Sequence, residues 1–105
     1  MSFNGTEGEF IEMSEASGMT SDWQNGGNGP VKGGFLGVDK INELLAQPGA
    51  VGIRIYFGLD SASGEKTVAL VAADAAENDI TNLILDRWKP CPPKCGNPNG
   101  LNNNK

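Results

Sequence analysis

The chain of 105 residues contains no histidine. That one absence removes His-based triads, imidazole general acid–base catalysis and His-containing metal sites together. Only two cysteines are present, Cys91 and Cys95. Two thiolates make half a zinc site, so a metal would need a second subunit to complete four ligands, and no metal or cofactor is expected. No run approaches the 18 apolar residues of a membrane-spanning helix. Residues 1–31 have no Lys or Arg, while Glu7, Glu9, Glu12, Glu15 and Asp22 give them all of the chain's net charge of −5. An acidic arm ahead of a neutral body repels phosphate backbones, and there is no basic stripe, so nucleic acid is not an expected partner. The first residues lack a basic n-region and an apolar h-region. A signal peptide is therefore not expected, and the cytoplasm is the default address, with leaderless export compatible with the same residues.

Familiar catalytic patterns are missing as well. No serine sits in Gly-x-Ser-x-Gly. The glycine-rich stretch Asn25–Gly34 has neither the Gly-x-x-x-x-Gly-Lys-Ser/Thr pattern nor a Gly-x-Gly-x-x-Gly between a strand and a helix, so it reads as a linker and not a phosphate loop. Asp74, Glu77 and Asp79 cluster in a segment that fails the calcium-loop pattern, where solvated turn acids are ordinary.

What is present is one domain, 1–105, with an apolar content of 38% and fifteen glycines. A chain of this length buries roughly two thirds of its unfolded surface and holds a modest core. Residues 1–12 read as an irregular acidic arm. Met13, Ala16, Met19 and Trp23 fall on one face of a weak helix near 13–24, a stripe that ordinarily packs into a core. Val38, Ile41, Leu44 and Leu45 share a face of a clearer helix over 38–47, stopped by Pro48-Gly49. Residues 51–58 alternate Val51, Ile53, Ile55 and Phe57 with Gly52, Arg54, Tyr56 and Gly58, and 66–73 form the return strand of an antiparallel hairpin. Residues 80–85 fit a third strand or a helical turn. The fold expected is α+β: a small antiparallel sheet covered on one face by the helix at 38–47. Arg54 and Tyr56 share the other, polar face, which is either the solvent side or a place to receive a ligand or partner.

The tail, 90–105, holds the only residues with strong intrinsic chemistry and is too rich in Pro and Gly for a helix or central strand. Cys91 and Pro92 each precede a proline, which holds both in extended conformations. Fully extended, the Cys91 and Cys95 Cα atoms would lie about 12 Å apart, while a disulfide needs them within about 7 Å. A bridge therefore requires a turn, and Pro93 at the second position of a type I turn over Pro93-Lys94 permits one. Three readings stand side by side: free thiols on a proline-stiffened strap, a disulfide or redox pair, and half of a shared metal site. Redox catalysis is disfavoured by the Cys-x-x-x-Cys spacing.

The segments Asn4-Gly5-Thr6-Glu7-Gly8, Gly52-Ile53-Arg54-Ile55-Tyr56-Phe57-Gly58, Glu77-Asn78-Asp79, Asp86-Arg87 and Cys91-Pro92-Pro93-Lys94-Cys95 together resemble a family of small bacterial proteins. The resemblance covers most of the chain. It implies a single domain that includes its tail, and no activity. The glycine-rich 25–34 segment departs from the family's pattern.

The function expected is a non-catalytic protein-binding or self-assembly module. It would dock through the N-terminal arm (Phe3, Phe10), the Arg54–Tyr56 sheet face and the Pro92-Pro93 strap. The partner would be another protein or the chain itself, as an oligomer or polymer. The alternative is a thiol–disulfide-responsive protein using Cys91 and Cys95. A small carboxylate enzyme would need a concave pocket holding Arg54, Tyr56 and at least two acids.

Overall fold

A computed structural model describes residues 2–102. In order they form α1 (Met13–Gln24), β1 (Gly33–Phe35), α2 (Val38–Leu45), β2 (Ala50–Leu59), β3 (Lys66–Asp74), β4 (Asp79–Leu85) and β5 (Lys89–Cys91). The architecture is α+β, with an antiparallel β2–β3–β4 sheet and a separate antiparallel β1–β5 pair. Residues 80–85 are thus strand and not helix.

Alternation fixes which side chains share a face. The register Ile53↔Ala72, Ile55↔Leu70, Phe57↔Val68 and Leu70↔Leu85 gathers these residues on one side of the sheet. Arg54↔Val71 and Tyr56↔Ala69 lie on the other. The hairpin loop is closed by Asp60, whose Oδ2 accepts the Ser63 N–H (2.9 Å) and hydroxyl (3.0 Å). Asp74 closes the β3–β4 turn in the same way, with Oδ1 accepting the N–H groups of Ala76 and Asn78. Side-chain oxygens that satisfy turn amides are the usual role of Asp in such loops.

The core is small. Leu44 of α2, 2% exposed, packs with Val68 and Leu70, and Leu36, Ile53, Leu85 and Trp88 lie against this centre. So α2 covers only the end of the sheet near Ile53 and Leu85. Its last turn closes with Gln47 Nε2 donating to the Leu44 carbonyl, just before Pro48.

Three elements depart from the sequence expectation. First, α1 buries no residue: Met13 and Met19 are exposed and Ala16 and Trp23 half-buried, so its apolar stripe is not core. Second, the 25–34 segment is not linker throughout, because Gly33 and Gly34 enter β1 and pair with Cys91 and Pro90. Third, the tail is not a free strap. Gln24 Nε2 donates to the Leu101 carbonyl (2.8 Å), Lys32 Nζ donates to the Asn102 carbonyl (2.7 Å), and Gly100 sits close against Met13 Sδ. A Cβ at Gly100 would fall 2.8 Å from that sulfur, so a larger residue there would displace the flexible, exposed Met13 side chain.

The radius of gyration, 15.3 Å, exceeds the about 13 Å of a compact chain of this length. The excess reflects the projecting arm, α1 and hairpin tip, which set up the surface described next.

Candidate functional site

The half of β2 that α2 leaves uncovered is apolar and open to solvent. Ile55 is 55% exposed, Phe57 74% and Leu59 75%, all on the core side of the sheet. β2 is also an edge strand: β3 pairs one of its sides, and no strand among the described residues pairs the other. Edge strands are ordinarily blunted by charges, prolines or bulges. The single bulge here lies at Ala50/Gly52, away from the exposed half, and from Ile55 to Leu59 there is no charge and no proline.

α1 stands over this half without filling the space beneath it. A cleft of about 500 Å³ opens between Met19 and Trp23 of α1, Val31–Gly33, and Ile55, Phe57 and Val68 of the sheet, with Trp88 at its base. Lys66 Nζ lies 4.3 Å from the Phe57 ring centroid and 4.8 Å from that of Trp23. A cation over two aromatic faces is held electrostatically and links α1 to the sheet. Trp23 Nε1 donates to the Val31 carbonyl at 3.1 Å, the second tie that positions α1. Among the described residues, Lys32 and Lys66 are the only charged side chains lining the cleft.

The opposite sheet face is a closed polar knot and not a bare platform. Arg54 NH1 pairs with Asp79 Oδ1, Tyr56 Oη donates to Asp79 Oδ2 (2.6 Å), and Arg54 also donates to the Glu77 carbonyl. The Tyr56 hydroxyl, and then the guanidinium, hold the Asp79 carboxyl below its usual value; the same bond to Asp79 raises the Tyr56 phenol. Phe3 closes the knot. Its N–H bonds the Ala75 carbonyl and its ring centre lies 5.3 Å from the Arg54 guanidinium carbon. The small depression beside it, about 330 Å³, is lined by Arg54 and Glu7 but not Tyr56, and the Glu7 carboxylate is taken up by the N–H groups of Asn4 and Gly5. The pocket with Arg54, Tyr56 and two acids that an enzyme would need is not formed. A larger polar cavity, about 600 Å³, lies near Asp60, Asp86 and Arg87. Two of its three acids are engaged, Asp60 by Ser63 and Asp86 by the Thr67 hydroxyl, and Glu65 is the third. Among the described residues, no group of three or more Cys, Asp or Glu side chains is arranged to hold a metal ion, and no helix is long and apolar enough to cross a membrane.

Cys91 and Cys95 are joined in a disulfide, Cα–Cα 4.7 Å. The turn that brings them together comes earlier than expected, through cis peptide bonds before both Pro92 and Pro93, with the Lys94 N–H donating to the Pro90 carbonyl. Pro92 and Pro93 are exposed.

The structure therefore brings Phe3, Arg54 and Tyr56 into one cluster, holds Cys91, Pro92, Pro93 and Cys95 in another, and leaves Phe10 alone and fully exposed (107%) on the arm. Sequence reasoning missed Asp79 as the partner of Arg54 and Tyr56, and it missed the Trp23–Lys66–Phe57 stack. The period-2 pattern did place Phe57 and Lys66 on facing strands; nothing in it pointed to Trp23. In the three comparisons with known proteins, no family model, no curated protein and no solved structure matches the chain.

Proposed function

We propose that this chain is a non-catalytic self-assembly module, and that its working surface is the apolar cleft with the open edge of β2. The observation that carries this reading is the exposure of Ile55, Phe57 and Leu59 along an unprotected edge strand. Large contiguous apolar patches on small proteins are characteristic of interaction sites. Total surface supports the same reading. The chain exposes 7401 Å², against about 5,600 Å² for a compact monomer of its mass. The difference exceeds the roughly 600–1,000 Å² that each partner gives to a specific interface. The N-terminal arm keeps its expected docking role through Phe10 and Ile11, while Phe3 is committed to Arg54. Pro92 and Pro93 are exposed and keep their expected docking role, while the tail beyond them is tied back through Leu101 and Asn102. Resemblance to a family of small bacterial proteins adds no activity to this proposal.

The test is native mass by size exclusion with light scattering over a range of concentrations, on the full chain and on Phe57→Lys. The full chain assembles above a monomer, and a charge at Phe57, on the exposed edge, disperses it. A monomer at every concentration sinks self-assembly.

The disulfide favours a second reading, a thiol–disulfide-responsive protein. A native mass that changes with reductant, and stops changing in the Cys91→Ser/Cys95→Ser double variant, would put that reading first.

A further inference from the structure

We infer that the cleft under α1 receives the N-terminal arm of a second copy of this chain, with Phe10 packed against Met19 and Ile55 beside the Trp23–Lys66–Phe57 stack. The inference deepens the self-assembly reading and rests on it.

Two apolar surfaces in this molecule are open to solvent, and their flanking charges are of opposite sign. One is the cleft: walls of Met19, Trp23, Ile55 and Phe57, with Lys32 and Lys66, both cationic, the only charged side chains lining it among the described residues. The other is the arm, which forms no helix or strand from Glu9 to Ile11 and holds Phe10 entirely in solvent. Glu9 and Glu12 flank Phe10 and Ile11, and no base occurs before Lys32. An aromatic ring with acids on both sides suits an apolar slot with cations at its rim. The ring provides the affinity and the charges fix the orientation.

The arm is held away from its own cleft. Phe3 is bonded to Ala75 and stacked on Arg54 on the far face of the sheet, and Asn4–Glu7 are locked into a turn by the Glu7 carboxylate. Phe10 stays outside its own cleft in this arrangement, and the arm of a second copy can enter the cleft with that anchor intact. Exchanged reciprocally, two arms close a two-fold dimer; passed on one way, they propagate a chain of subunits.

The test uses the full-length protein with the photoreactive residue benzoylphenylalanine at position 10, as a mixture of isotopically light and heavy chains. Illumination is expected to give light–heavy cross-links that map to Met19, Trp23 or Phe57. In parallel, Phe10→Asp is expected to raise the concentration of half-assembly by about ten- to a hundred-fold, the loss of one buried aromatic contact. Added salt should also weaken assembly, because the rim pairs are exposed. Phe10 touches nothing in the monomer, so neither change threatens folding. Cross-links confined to one chain overturn the inference. So does a Phe10→Asp protein that assembles like the parent while Phe57→Lys does not; that outcome leaves assembly through the β2 edge standing. A parent chain that is monomeric throughout overturns the inference and the self-assembly reading together.

Discussion

Trp88 lies directly across Gly34, with its indole ring filling the space a Cβ at residue 34 would need. Gly34 pairs with Pro90 in the β1–β5 ladder, so Trp88, two residues earlier, folds back over the partner strand and reaches the core around Leu44. The short second sheet is thereby keyed to the main one by a single aromatic ring.

Gly34→Ala tests that key. The methyl would meet the ring and not a flexible side-chain end, so either β1 separates from β5 or Trp88 leaves the core. Overpacking of this kind costs about 1–3 kcal/mol. Denaturant unfolding should show that loss, with Trp fluorescence reporting a changed environment for Trp88. An unchanged midpoint would mean that the β1–β5 pair contributes no packing to the fold.

Among the described residues, Leu44 is the one large side chain that is almost wholly buried, and α2 holds the sheet chiefly through it. Leu44→Ala is expected to cost about 2–5 kcal/mol. For a small domain that is a large share of total stability. Exposed Leu45 on the same helix provides the control: Leu45→Ala should move the unfolding midpoint little.

How far the sequence foretold this molecule depends on period. The hairpin was legible because Ile53, Ile55 and Phe57 alternate with Arg54 and Tyr56, and the observed strands overrun the expected ones by only one or two residues. α2 was legible from its apolar spacing and ends at Leu45, two residues short of the expected limit. β1 and β5 were not legible. Each has three residues, Gly-Gly-Phe and Lys-Pro-Cys, too short to show a period and built from residues that strands disfavour. The α1 stripe had the right spacing for a helix, and spacing carries no information on whether a partner surface is supplied. The candidate site followed the same divide. Arg54 and Tyr56 sharing a face follows from i,i+2 geometry, whereas Asp79 joins them only through the β3–β4 pairing and the turn that Asp74 organises. Bonds from Gln24 and Lys32 to tail carbonyls leave no trace in side-chain pattern at all.

The Arg54–Asp79–Tyr56 knot predicts a pH response. The folded Asp79 value is lowered, so its contribution is fully present above the ordinary Asp value of about 3.9 and fades as pH falls through the lowered one. The folded Tyr56 value is raised. Its contribution is present below about 10 and is lost as pH rises through the raised value. Thermal unfolding of the parent and of Tyr56→Phe should therefore differ by a constant amount between these limits, and the gap should narrow toward both extremes. A gap of the same size at low and neutral pH would show that the hydroxyl acts without the carboxylate.

The Cys91–Cys95 bridge closes a loop with a sequence separation of only 4. Loop entropy for so short a ring is worth about 2 kcal/mol at most. Cys91 is also held without its sulfur. Its carbonyl accepts the Lys32 N–H at 2.7 Å, and it pairs with Gly33 at the end of β5. Beyond it the chain depends on the Pro90–Lys94 turn and on the contacts of Leu101 and Asn102 with Gln24 and Lys32. The Cys91→Ser/Cys95→Ser variant should therefore keep its fold, its cleft and its assembled mass. Faster amide exchange should be confined to residues 92–102 and the last turn of α1. Loss of the whole fold in that variant would instead make the bridge a structural requirement. The protein would then need an oxidising compartment, where such bonds persist.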